Sequence, residues 1–191
     1  GLTATGAINY GDSEANVRRR IAFGTLSRDA RATVDMQTFA LEGELRYGLP
    51  AGNGWALGPM TSFFYADADL GRFGETGANS LNLTSSGASD EVSRFGGGLF
   101  ANWQGAHGSI DASAQYVDGH GNVAQIGMTL AGAPGTSFSV RSPQTDGSAG
   151  LFSLAGRYEL GGGWSIGGDI RGLIGDEVQA VSGSATIGWR F

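Results

Sequence analysis

Residues 178–191 alternate strictly. Gln179, Val181, Gly183, Ala185, Ile187, Trp189 and Phe191 fall on one side, and Ala180, Ser182, Ser184, Thr186, Gly188 and Arg190 on the other. A period of two marks a strand with one apolar face and one polar or small face. The apolar face grows more hydrophobic towards Phe191, the last residue. In water such an ending has little to bury against. In lipid, Trp189 and Phe191 suit the interfacial aromatic belt of a barrel.

The same period recurs upstream, over residues 2–10, 17–27, 34–48, 55–67, 91–103, 109–118, 148–160 and 164–173. With the final segment this predicts about nine strands. Gly11-Asp12-Ser13 reads as a turn and residues 28–33 as a polar connection. Tight turns are expected at 49–54, 104–108 and 161–163, and long polar connections over 68–90 and 119–146. Short turns at one end and long loops at the other match the asymmetry of outer-membrane barrels.

Composition narrows the alternatives. No apolar run approaches the ~20 residues of a membrane helix. The 35 Gly come with only 4 Pro, so the chain is not a collagen-like or Pro-rich segment. A net charge of −6 leaves no electrostatic footprint for nucleic acid. Cys is absent, which removes disulfides and thiolate metal sites. The first residues, GLTAT, lack a charged region followed by an apolar core, so any signal peptide is expected to have been removed or to lie outside a fragment.

A barrel makes a specific demand on its aromatics. If the tight turns share one rim, the strand ends beside them should carry the belt. Tyr10, Tyr47, Trp55, Trp103, Tyr158, Trp164 and Trp189 are assigned there, which gathers all four Trp on one rim. Tyr65, Tyr116, Phe95 and Phe152 form a weaker opposite rim. On the inward faces, Arg18, Arg20, Glu42, Glu44 and Arg46 are assigned to a wet lumen, followed by Asp111, Arg157, Glu159, Asp169 and Arg171. Arg19 is read as outward-facing and snorkelling. Counting nine strands back from Phe191 places Leu2 at the far rim, with an odd number of strands expected before it.

Other chemistry is poorly supported. Glu42 and Glu44 share a strand face, but glycosidase carboxylates need a cleft and a fixed separation. His107 and His120 have no ligand neighbours in sequence. No Gly-x-Ser-x-Gly elbow is present. Gly96-Gly97-Gly98 lies inside a strand pattern, where close packing or curvature explains it better than a dinucleotide loop. No catalytic residue, cofactor or metal is expected.

Five stretches carry a family resemblance: residues 20–28 (RIAFGTLSR), 41–47 (LEGELRY), 57–65 (LGPMTSFFY), 73–77 (FGETG) and the terminal IGWRF. In this order and spacing the chain resembles the translocator β-domain of the autotransporters, the type V secretion proteins. The resemblance implies an all-β, antiparallel up-and-down transmembrane barrel of twelve strands with a helix in its pore, of which this single domain would hold the last nine. It further implies a non-enzymatic translocator in the bacterial outer membrane, supporting secretion of an N-terminal passenger. Its partners would be outer-membrane lipid, the passenger segment and the barrel-assembly machinery, which reads Ile187, Trp189 and Phe191 as its signal. The alternatives are a small outer-membrane porin or passive channel, and a soluble β-sandwich.

Overall fold

The computed structural model describes residues 1–142, 147–175 and 179–191. The strands are β1 (Leu2–Phe23), β2 (Leu26–Tyr47), β3 (Leu49–Gly52), β4 (Trp55–Leu70), β5 (Phe73–Gly74), β6 (Leu83–Ser85), β7 (Ala88–Gln104), β8 (Gly108–Gly121), β9 (Gln125–Leu130), β10 (Ser137–Arg141), β11 (Gly147–Gly161), β12 (Trp164–Gly175) and β13 (Gln179–Trp189). A single 3₁₀ turn, Asn79–Leu81, precedes β6. The predicted start of the last strand at 178 and the end of the second long connection at 143–146 lie outside the described residues.

One antiparallel meander dominates, in the order β1-β2-β4-β7-β8-β11-β12-β13, with β3 paired to β4. This is the all-β, up-and-down architecture expected, and the sheet has nine strands. Their identities differ from the expected nine. Residues 2–10 and 17–23 lie in one strand of 22 residues, paired with β2 in unbroken register from Leu2↔Tyr47 to Phe23↔Leu26, and the predicted end of the second strand at 27 falls past the turn, in β2. The chain reverses at Gly24, whose φ of 56° suits the first position of a two-residue hairpin turn. Gly11-Asp12-Ser13 is therefore not a turn, and residues 28–33 are not a connection. Both lie in a ribbon that extends past the end of the β2–β4 pairing at Met36. Polar residues mark turns where one sheet face is buried in apolar surroundings. At the last rungs that β2 shares with β4, and in the ribbon beyond them whose convex face is open to water, they do not.

This merger leaves eight full-length strands, so Leu2 lies opposite Tyr47, at the end of the sheet that carries Trp55 and Trp103. The expectation that Leu2 sits at the far rim is corrected. Tight connections at this end fall beside Trp55, between Gln104 and Gly108, and at Gly162–Gly163. The two long connections, at the opposite end, do more than loop. They contribute a second sheet of order β10-β9-β6-β5. Backbone bonds tie this cap to β2, with Gly71 N–H donating to Asp35 and Thr76 and Arg31 exchanging both bonds.

The sheet curls strongly. Its concave side encloses a space of about 610 Å³ lined by residues from β1 through β12, including Thr5, Glu44 and Arg171. The most buried residues of the main wall, Met60, Phe100, Gln115, Val117 and Ser165, all point to that side. Curvature requires small residues where strands crowd. A Cβ on Gly98 would meet the Ala114 carbonyl oxygen at 2.1 Å, while one on Gly97 would meet nothing within 4 Å. Adjacent glycines thus have opposite roles. Gly98→Ala is expected to destabilise the barrel by about 1–3 kcal/mol through overpacking. Gly97→Ala should be nearly neutral, and urea unfolding followed by tryptophan fluorescence distinguishes the two.

Candidate functional site

Two faces of one wall make up the site. On the convex face Leu2, Ile8, Leu99, Ile170, Val181 and Ile187 stand 60–80% exposed. Contiguous apolar surface of this extent is foreign to a monomer in water. It is what hydrocarbon requires, and the backbone meets the other requirement by pairing strand to strand.

The convex aromatics collect at the tight-turn end. Trp55 pairs with Trp103 and Trp164 with Trp189 across strands, with ring centroids 6.5 and 6.0 Å apart. Tyr47 and Tyr158 flank them, and Phe191 packs on Trp189 at 5.5 Å. The Trp103 indole N–H donates to the Asn53 carbonyl at 3.1 Å, giving the ring the polar end an interface favours. None of these tryptophans is buried in a common interior. Tyr10 does not join them. It pairs with Phe39, eight residues along β2 from Tyr47, because the unbroken β1 carries it to the opposite rim. There Phe39 meets Tyr65 at 6.3 Å and Phe63 meets Phe95 at 4.9 Å.

The concave face is charged and hydrogen-bonded. Glu42, Glu44, Arg46, Asp111, Arg157, Glu159, Asp169 and Arg171 share it. Arg46 bridges Glu44 on its own strand at 2.5 Å and Asp111 on β8 at 2.7 Å, passing over the Phe100 ring at 5.0 Å. Asn102 donates to the same Asp111 carboxylate at 3.3 Å. Two intervening strands separate β2 from β8, so this ion pair exists only because the wall bends. Farther round, Arg157 reaches Ser165 at 3.1 Å and Glu159 at 3.3 Å, and Asp169 lies beside Arg171 and accepts from Ser184. The result is a wall of mixed sign with its charges tethered. Among the described residues no group of three or more His, Asp and Glu could hold a metal.

Arg18 and Arg20 do not belong to this wall. With no register shift in β1, they share the convex face of Leu2 and Ile8, and Arg19 takes the concave side. The sequence pattern misassigned all three because it placed a turn at residue 11. Arg19 grips Glu75 of the cap through Nε at 2.9 Å and Nη2 at 2.5 Å, and also donates to the Leu81 carbonyl. Glu75 is only 7% exposed and accepts from Leu83 N–H as well. Ala30, fully buried, is the partner of Arg19 on β2, small enough for the guanidinium to cross. No local pattern points to this latch, because nothing in the chain near residue 19 links it to residue 75.

An all-antiparallel wall with a lipophilic outside, a wet inside and aromatic rims is that of a transmembrane β-barrel protein. The Autotransporter beta-domain family model matches residues 1–171, and the chain belongs to that family: an outer-membrane translocator barrel of type V secretion. The match stops before β13, so the terminal Ile187, Trp189 and Phe191 lie beyond it. A search of curated proteins finds no match to the chain.

The latch makes the cap pH-sensitive. The Arg19 hydrogen bonds hold the Glu75 carboxyl below its usual range, against the opposing effect of burial. A depressed carboxylate stabilises the closed cap above its unfolded pKa of about 4.3 and loses that contribution as pH falls through the folded value. Protection of residues 73–85 from hydrogen exchange should be constant above about pH 5 and decline below it. Arg19→Gln should raise cap opening about 10–100-fold at neutral pH and remove the loss of protection on acidification, since burial then opposes the Glu75 charge.

Proposed function

We propose that this domain anchors an N-terminal passenger in the bacterial outer membrane and supports its passage to the cell surface. The observation that carries the reading is the inversion of the two faces. Apolar side chains stand on the convex side, while Glu44, Arg46, Asp111, Arg157 and Asp169 hold the concave one. A mixed-sign, tethered lining tolerates an extended polypeptide of any sequence without binding it tightly. In the assembled protein the free edges of β1 and β13 meet the remaining strands of the family's twelve-stranded barrel. An open edge in hydrocarbon would leave each unpaired backbone group at a cost of several kcal/mol.

In this reading Ile187 and Trp189, on the convex face of the last strand, and Phe191, packed on Trp189 just past its end, are the segment recognised by the barrel-assembly machinery. The belt residues Tyr47, Trp55, Trp103, Tyr158, Trp164 and Trp189 seat the periplasmic rim. The family is a translocator family, and catalytic activity would reside in the passenger. A passive channel shares the same wall and differs in having no passenger to export.

Two measurements test this. Tryptophan emission of the reconstituted protein should be quenched more strongly by lipids brominated near the headgroup than by lipids brominated near the chain terminus. Equal or absent quenching removes the belt. Deleting Phe191 should reduce surface display of the passenger by at least about tenfold, the weight of roughly 1.4 kcal/mol, with synthesis unchanged. Undiminished display would remove the assembly role.

A further inference from the structure

The tip of the β1–β2 ribbon is the most basic part of an acidic chain. Five of the twelve cationic side chains, Arg18, Arg19, Arg20, Arg28 and Arg31, fall within residues 17–33, where Asp29 is the sole acid. Every cation in the protein is Arg. Three of the five, Arg18, Arg20 and Arg31, stand on the convex face around Asp29. Arg18 and Arg31 are direct cross-strand partners, an arrangement of like charges that costs stability. Arg18 bonds Asp29 at 2.8 Å. Arg20 and Arg31 have no side-chain partner among the described residues and are exposed.

The Arg18 hydrogen bond holds the Asp29 carboxyl below its usual range, and the charges of Arg20 and Arg31 act in the same direction. At the tip one carboxylate therefore leaves an excess of positive charge, while Asp12, Glu14 and Asp35 stand on the same face nearer the far rim, with Glu14 and Asp35 cross-strand partners four residues from Arg18 and Arg31. The ribbon is locked upright, since Arg19 on its other side is bound to the cap. Ten residues separate Met36, where β2 leaves β4, from the hairpin end at Leu26. That is roughly 33 Å of strand.

We propose that this convex arginine patch binds the phosphorylated saccharide headgroups of the outer-leaflet glycolipids around the barrel. The inference rests on the membrane reading above and adds a partner to it. Register directs the patch outward, on the face that meets lipid and away from the concave side, so the passenger is not its target. Height places it in the sugar layer: Arg18 and Arg20 follow Tyr10 of the far aromatic rim by eight and ten residues, about 26–33 Å along the strand. Guanidinium is the side chain that grips phosphate and carboxylate through two parallel bonds. An incoming anion would also relieve the Arg18–Arg31 repulsion.

The test uses the full-length protein, passenger included, in detergent, passed over an immobilised phosphorylated lipooligosaccharide. Arg20→Gln with Arg31→Gln, which spares the Arg18–Asp29 pair, should weaken retention about 30-fold at low salt. The gap should shrink as ionic strength rises. Arg28→Gln, on the opposite face of the same ribbon, should stay within about twofold. Chemically dephosphorylated lipooligosaccharide should bind wild type and double variant alike. Equal retention of the two on the phosphorylated surface would overturn the proposal. So would loss of wild-type retention on removing divalent cations, which would assign binding to carboxylates bridged by metal. Preference for a soluble sulfated polysaccharide with no response to lipid phosphate would also overturn it. If the double variant does not fold, the salt and dephosphorylation arms on wild type decide. Bromolipid quenching of the same preparation reports the membrane reading separately, so either idea can fail alone.

Discussion

Hydrocarbon offers no hydrogen bonds, and nearly every feature of the main wall answers that one fact. Each long strand is paired on both edges except β1 and β13, and the turns between strands are short at one rim because nothing need project there. Side chains on the convex face are the inverse of a soluble sheet: Val181 and Ile187 stand open while Ser165 and Gln115 are buried. The indoles gather at the tight-turn end, where the Trp103 N–H finds the Asn53 carbonyl.

Curvature converts this wall from a surface into an enclosure. Arg46 and Asp111 lie on strands separated by two others and still meet at 2.7 Å, with Phe100 beneath the guanidinium. Glycines at the crowded rungs permit the bend, and Gly98 is the tightest of the Gly96-Gly97-Gly98 run. Charges held in pairs along the concave side present polarity without a strong field of either sign.

Beyond the far rim the physics changes, and so does the meaning of the sequence pattern. The convex face of the β1–β2 ribbon is open to water, so apolar residues no longer mark the outside. Ala30, Ala32 and Val34 are buried on the concave side, where Arg19 and the cap residue Glu75 meet. The two long connections, distant in sequence, assemble β5, β6, β9 and β10 into one sheet. The ribbon is thereby given a supported inner face and a free outer one that is basic at its tip.

Alternation alone determined that this chain makes an up-and-down antiparallel sheet, because a period of two leaves a strand no other way to separate Ile187 and Trp189 from Ser184 and Thr186. It also determined that Tyr47, Trp55, Trp103, Tyr158, Trp164 and Trp189 share a rim, since each sits beside a turn with local chemistry of its own. Tertiary structure decided the rest. Whether Gly11-Asp12-Ser13 turns or continues depends on a partner strand long enough to pair with it, and β2 is. That choice moved Tyr10 to the other rim and exchanged Arg18 and Arg20 with Arg19. The Arg46–Asp111 bridge depends on how far the wall bends, and the Arg19–Glu75 latch on how the long connection folds back over the ribbon. Both follow from distances between residues far apart in the chain, which a local pattern does not encode.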